Sequence, residues 1–224
     1  MEEEKVKKLF PGVFVKGNKI YTISLAPGYS VYGERLETAG EKEYREWDPF
    51  RSKLGAAMAK GLRHFPIRPG DRVLYLGAAQ GTTASHVSDL VGRNGVVFCV
   101  EFAPRAFEKL LPVCESRENM IPLLADAGDP SKYSETVGLV DSVFQDVAQP
   151  NQADILVRNC ALLRKDGLAA IAIKSRSVDV TEAPAKVFDK ELATIRKAGL
   201  EQLEVVRLEP FEKDHALAVF RKPV

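Results

Sequence analysis

The sequence predicts an α/β fold: a doubly wound, mostly parallel sheet of seven strands, with a small antiparallel β module at its amino end. Three observations point to it. From Asp71 onward, short apolar runs alternate with segments of helical period, as in a parallel sheet covered by helices on both faces. Residues 168–173 form an unbroken apolar run, the mark of a strand buried on both sides. Residues 1–46 instead hold short stretches rich in β-branched and aromatic residues, separated by turn signals.

Met1 to Phe10, MEEEKVKKLF, alternates charges and lacks the apolar centre of a signal peptide. No run in the chain approaches the ~18 apolar residues of a membrane span. A cytosolic protein with no membrane partner is therefore expected. Residues 13–15 and 20–25 flank Gly17-Asn18 and predict a hairpin, and Pro27-Gly28 makes the next turn. A third extended piece is expected over residues 32–36, with the polar stretch 37–46 closing the module. The module carries no chemical motif and reads as a packing or protein-docking platform.

The main domain, residues 47–224, is expected to open on a helix with Asp48 as N-cap, Pro49 at its first position, and Phe50, Leu54, Ala57 and Met58 on one face. Arg51, Lys53, Lys60, Arg63 and Arg68 make this the most basic part of the chain. Five strands follow at residues 73–76, 96–100, 120–124, 140–144 and 168–173. Helices are predicted from Thr82 or Thr83 to Gly92, from Pro104 towards Cys114, from about Asn151 to Asp166-Gly167, and through Phe188, Leu192 and Ile195 to Gly199. Two late extended segments, 203–208 and 216–220, are joined by only a short loop.

In an open parallel sheet, ligands bind at the carboxyl ends of the strands, where strand order reverses. Here those ends carry Gly77 to Thr83, Glu101, Asp126, Asp146 and Lys174 in turn. Together they outline a pocket. The stretch GAAQG lets backbone N–H groups approach a ligand, and the helix after it favours a carboxylate or phosphate. Glu101 lies 24 positions beyond Gly77, close to the spacing at which an acid binds the ribose hydroxyls of a nucleoside cofactor. NAD and S-adenosylmethionine both suit this description. The dehydrogenase fingerprint asks for glycine where Ala79 stands, which favours S-adenosylmethionine, its carboxylate meeting Thr82 and Thr83 and its adenine amino group meeting Asp126.

Composition narrows the partners. The chain of 224 residues is 45% hydrophobic and 28% charged, enough to bury a full core. Its formal net charge of +1 argues against autonomous nucleic-acid binding, so any RNA affinity is expected to come from elsewhere. Cys99, Cys114 and Cys160 are widely spaced with no C-x-x-C, which suits buried thiols in a reducing compartment and no metal site.

The segments VLYLGAAQGTTASHVSD from Val73, VEFAPR from Val100, REWDPFRSKLGAA from Arg45, DVAQPNQ from Asp146, IKSRSVD from Ile173 and LEPFEKDHA from Leu208 closely resemble fibrillarins. The resemblance spans nearly the whole chain and matches the archaeal type, which lacks a Gly/Arg-rich tail. Gln80 departs from the Ser common in the family and leaves the glycines intact. The resemblance implies a methyltransferase sheet and S-adenosylmethionine-dependent methylation of ribose 2′-hydroxyls in rRNA and tRNA, at positions chosen by a box C/D guide RNA. It implies three kinds of partner: a Nop-domain scaffold protein, a kink-turn-binding protein, and the guide and target RNAs. It puts the cofactor on Thr82 and Thr83, Glu101 and Phe102, Asp126 and Ala127, and Asp146, Val147, Ala148 and Gln149. Related ribose methyltransferases use a Lys-Asp-Lys-Glu set, matched here by Lys53, Asp146 and Lys174. The fourth place falls to His215, with Glu212 and Asp214 close by. His64 and His86 are expected to be structural. A small-molecule methyltransferase and a binding-only scaffold are the alternatives.

Overall fold

The computed structural model of the chain describes residues 6–224. The opening charges Met1 to Lys5 lie outside them. Two sheets are present. The first is antiparallel, formed by β1 (Lys7–Phe10), β2 (Val13–Lys16), β3 (Lys19–Ile23), β4 (Leu36–Ala39) and β5 (Lys42–Glu46) in the order β1-β2-β3-β5-β4. Gly17-Asn18 turns β2 into β3 as the sequence predicts.

Two expectations for this module are corrected. Residues 32–35 are not a strand but part of a loop, because the Glu34 carboxylate takes the backbone N–H groups of Val31 and Tyr32 at 2.8–3.0 Å. The polar stretch 37–46 is not a tail but most of a hairpin, turned at Gly40. It is hidden from apolar periodicity because its most buried side chain is charged. Arg45 is fully buried and pairs with Glu34 and Asp89 at 2.5 Å each.

The main sheet runs β11 (Glu201–Arg207), β12 (His215–Arg221), β10 (Leu163–Lys174), β9 (Val140–Gln145), β6 (Arg72–Leu76), β7 (Val96–Glu101), β8 (Met120–Leu124). The five strands from β10 to the edge strand β8 are parallel, and the two late segments form an antiparallel pair at the other edge, β12 lying against β10. Strand order reverses between β6 and β9, which is where a ligand is expected. The helices are α1 (Lys53–Ala59), α2 (Thr82–Val91), α3 (Pro104–Glu115), α4 (Ser134–Val137), α5 (Gln152–Asn159), α6 (Ser175–Val178) and α7 (Pro184–Lys197). They cover both faces. One core holds Trp47, Leu54, Val87 and Leu110; the other holds Tyr133, Ile155, Phe188 and Ile195. The sequence missed α4 and α6 because each is a single turn too short to show a period.

Helix α1 starts later than expected. Ser52, not Asp48, is its N-cap, accepting the Gly55 N–H at 3.1 Å. Asp48 instead closes a turn by accepting the Phe50 N–H at 2.8 Å, and Phe50 is 61% exposed rather than on the core face. Strand β10 begins at Leu163, before Asp166-Gly167, and resumes after a bulge at Leu168.

Candidate active site

Gly77 fixes the centre of the site. Its φ is +80°, and a Cβ there would stand 2.8 Å from the Asp146 carbonyl oxygen, so only glycine lets the ends of β6 and β9 meet. Its N–H donates to Val100, tying in β7 as well. The chain then turns through Ala79, at φ 49°, whose N–H donates to Glu101 Oε2 at 2.8 Å. The Ala103 N–H holds Glu101 Oε1 at the same distance. Glu101 is only 7% exposed, so its carboxylate is anchored on two backbone donors with lone pairs left for a ligand.

A cavity of about 280 Å³ opens beside it. Of the predicted cofactor residues, Gly77, Glu101, Phe102, Ala127, Asp146, Val147, Ala148 and Gln149 line it. Asp126 stands just outside, where Gly128 N–H and Gln149 Nε2 donate to its Oδ1 at 2.8 and 3.1 Å and hold its carboxyl below the usual carboxylate range. Thr82 and Thr83 are not in the lining. The buried Thr83 hydroxyl donates to Ser52 Oγ at 3.0 Å and so fastens the start of α2 to the cap of α1. Ala79, within the predicted GAAQG turn, lines the cavity too, while Val100 and Ala125 also line it and went unpredicted, since small or apolar residues beside a strand end give no chemical signal.

The donor set suits a nucleoside bearing a sulfonium. Apolar Phe102, Ala127 and Val147 wall the space and Glu101 presents a fixed acid. The sole basic side chain in the lining is Lys174, already paired with Asp146, so no free cation stands ready for a pyrophosphate.

The predicted catalytic residues converge at one end of this cavity. Lys174 Nζ lies 2.7 Å from Asp146 Oδ1 and donates to the Asp146 carbonyl at 2.9 Å. Because that ammonium is aligned on the carbonyl, its contact with Oδ1 is an ion pair rather than a directed hydrogen bond. Lys53 Nζ donates to Asp146 Oδ2 at 3.2 Å. On its far side Lys53 approaches Glu212 Oε1 at 3.7 Å, and Glu212 Oε2 is 3.7 Å from His215 Nδ1. Lys53 is delivered by the first turn of α1, Asp146 and Lys174 by the ends of β9 and β10, and His215 by the start of β12. These side chains keep between 15% and 26% of their surface exposed, a half-open site that a long polymer can reach.

The other singled-out residues lie elsewhere. His86 is fully buried, stacked on Trp47 with ring centres 4.7 Å apart and bonded to the Thr22 and Tyr32 hydroxyls at 2.8 Å. His64 binds Glu204 at 3.1 Å. The three cysteines are free and buried. Arg51, Lys60, Arg63 and Arg68 are exposed, and of the basic stretch only Lys53 enters the cluster.

Comparison with known proteins agrees along the whole chain. The family model described as Fibrillarin matches residues 2–223. A fibrillarin-like rRNA/tRNA 2′-O-methyltransferase of Thermococcus onnurineus is 54% identical, over 98% of this chain and 100% of the relative. The protein of that name from Pyrococcus furiosus is 52% identical, over 98% and 99%. Among solved structures, the Methanococcus jannaschii fibrillarin pre-rRNA processing protein superposes with a TM-score of 0.94 at 43% identity, covering 99% of each chain. Aeropyrum pernix fibrillarin, solved with natively bound S-adenosyl-L-methionine, gives 0.89 at 47%, covering 96% of this chain and 97% of that one. A fibrillarin/Nop5p complex gives 0.89 at 39%, covering 96% and 100%.

Proposed function

The chain belongs to the fibrillarin family, and on that premise we propose that it transfers methyl groups from S-adenosylmethionine to ribose 2′-hydroxyls of rRNA and tRNA. It does so as the catalytic subunit of a box C/D ribonucleoprotein whose guide RNA selects the nucleotide. The observation that carries the reading is Lys174. It both walls the nucleoside-sized cavity and pairs at 2.7 Å with Asp146, which Lys53 holds from the other side.

When bound, S-adenosylmethionine supplies an electrophilic methyl on a sulfonium. Glu101 holds the ribose of that cofactor, Phe102 and Ala127 enclose its base with Asp126 at the rim, and Asp146 to Gln149 form the opposite wall. Gly77 lines the carboxylate end, and although the Thr82 and Thr83 side chains lie outside the lining, the N–H groups at the start of their ten-residue helix would attract the carboxylate, the amino end of a helix being suited to an anion. Lys174 and Lys53 stabilise charge developing on the 2′-oxygen, Asp146 fixes both ammonium groups, and His215 completes the set.

Charge and family membership together bear on the partners. With a net charge of +1 the chain alone binds RNA weakly, and its membership of the fibrillarin family implies that a Nop-domain scaffold and a kink-turn-binding protein hold the guide and target RNAs. The solved fibrillarin/Nop5p complex supports the scaffold part of this proposal. Residues 1–46 form a docking module and 47–224 the methyltransferase domain. Among the described residues no helix is long and apolar enough to cross a membrane. With archaeal relatives and RNA substrates, the proposed place of action is the cytoplasm.

The deciding experiment is methyl transfer from labelled S-adenosylmethionine to a guided RNA, with and without the scaffold proteins. Transfer to a single 2′-oxygen in the assembled complex is expected. Lys174→Ala should lower the rate by at least about 100-fold while cofactor affinity stays within a few-fold. Undiminished turnover in that variant would remove Lys174 from the chemistry.

A further inference from the structure

A hydroxyl that accepts a methyl must lose its proton, and the cluster offers few places for it. Lys174 is committed to Asp146 through both Oδ1 at 2.7 Å and the carbonyl at 2.9 Å, the surroundings of a proton donor. The Asp146 oxygens each face a lysine, at 2.7 and 3.2 Å. His215 differs. Its Nδ1 lies 2.7 Å from the Lys213 carbonyl oxygen. A carbonyl can only accept, so Nδ1 carries the hydrogen and the neutral ring keeps Nε2 as its acceptor.

The fold holds that ring beside the transfer site. His215 is the register partner of Lys174 in the antiparallel β10–β12 ladder, and directly opposed residues put their side chains on the same face of a sheet. The turn before it is fixed in a left-handed conformation at Asp214, φ 60°, by Arg176 Nε at 3.0 Å on its carboxylate and Ser175 Oγ at 3.0 Å on its carbonyl. Glu212, one turn earlier, sets a carboxylate 3.7 Å from the same Nδ1. Of the charged side chains on the elements packed about this turn, Glu212 faces the ring directly; Lys53 of α1 reaches Glu212, Lys53 and Lys174 of β10 both pair with Asp146 at the end of β9, and Arg176 of α6 pairs with Asp214.

We propose that Glu212 and His215 form a carboxylate–imidazole pair in which Glu212 positions the ring and Nε2 takes the proton of the 2′-hydroxyl; this rests on the function proposed above. As the 2′-oxygen bonds to the methyl carbon, the S–CH3 bond breaks with its electron pair left on sulfur. The hydroxyl proton passes to Nε2, and the resulting imidazolium gives it to water after the product leaves. Glu212 is a positioning residue here: it faces Nδ1, not the substrate, and balances the positive charge the ring acquires. It also restrains Lys53 from the side opposite Asp146.

Two measurements test the pair. In the ¹⁵N-labelled full chain, at a pH where His215 is neutral, its ring should be protonated on Nδ1. A ring protonated mainly on Nε2 overturns the proposal without any substitution. In the assembled complex, His215→Gln should slow single-turnover transfer roughly 100-fold with cofactor affinity unchanged and should abolish the acidic limb of the rate–pH profile. Glu212→Gln should slow transfer roughly 10-fold through kcat rather than KM and move that limb to lower pH, with Glu212→Asp recovering part of the loss. A His215→Gln rate within threefold of the unsubstituted complex, or an acidic limb unmoved in Glu212→Gln, overturns it while the function stands. A complex that methylates no ribose at all overturns both.

Discussion

Gly77 is the residue on which the two halves of the site depend. Its left-handed φ of +80° disfavours any side chain, and a methyl there would meet the Asp146 carbonyl oxygen at 2.8 Å and its carbon at 3.0 Å. Backbone cannot yield as a side chain can, so the ends of β6 and β9 must separate. Gly77→Ala should cost about 2–3 kcal/mol of stability and, by displacing Ala79 from Glu101, weaken S-adenosylmethionine binding at least about tenfold. Thermal unfolding and calorimetric titration read the two effects, and unchanged affinity would detach the turn from the cofactor. Gly77, Glu101 and Lys174 are legible in sequence because each directly follows a strong apolar run, and Asp146 because it closes the next strand after Val143-Phe144-Gln145. Thr83 is legible as a helix start, but its hydroxyl bond to Ser52, 31 residues away, depends on a tertiary contact no local pattern encodes. The closeness of Glu212 to Lys53 is hidden for the same reason, the two residues reaching the site from different elements.

At the scale of elements, α1 shows how a short helix can be read correctly and placed wrongly. Asp48-Pro49 and Ser52 are competing start signals, and tertiary context decides for Ser52 because its oxygen serves both the Gly55 N–H and the Thr83 hydroxyl. The consequence is functional, since Lys53 is the first residue of α1 and Ser52 ties that end to the turn holding the cofactor site. Ser52→Ala should lower stability by about 1–2 kcal/mol, the cap plus a buried hydroxyl left without its partner. It should reduce kcat several-fold more than it reduces cofactor affinity, because Lys53 loses its anchor while the cavity lining is untouched. Equal losses in both would place the effect in α2 instead. The β4–β5 hairpin fails to show in the sequence for a different reason. Its buried side chain, Arg45, is charged and stable there only because Glu34 and Asp89 are buried with it, so apolar alternation has nothing to report.

For the whole molecule, the two sheets share one core, and their polar junction makes stability depend on pH. Arg45 bridges Glu34 in the module to Asp89 on α2, Arg117 adds a second guanidinium on Asp89 at 2.9 Å, and His86 lies among them under Trp47. Burial, followed by the charges of Arg45 and Arg117, drives His86 well below its ordinary value of 6.5. The folded protein therefore keeps it neutral while the unfolded chain takes up a proton, so stability falls as pH drops below about 6.5, by up to about 2 kcal/mol at pH 5. Glu34 acts in the same sense at lower pH. Burial would raise it, but the N–H groups of Val31 and Tyr32 and the Arg45 guanidinium bring it to about 2 from an ordinary 4.5. Its contribution is complete above pH 4.5 and is lost as pH falls towards 2. Unfolding midpoints should thus decline in two stages, first below pH 6.5 and again below 4.5. His86→Phe separates the stages. It should be less stable at pH 7, because the Thr22 and Tyr32 hydroxyls lose their ring partner, yet its midpoint should change far less between pH 7 and 5. A variant that keeps the full slope over that interval would show that some group other than His86 takes up the proton.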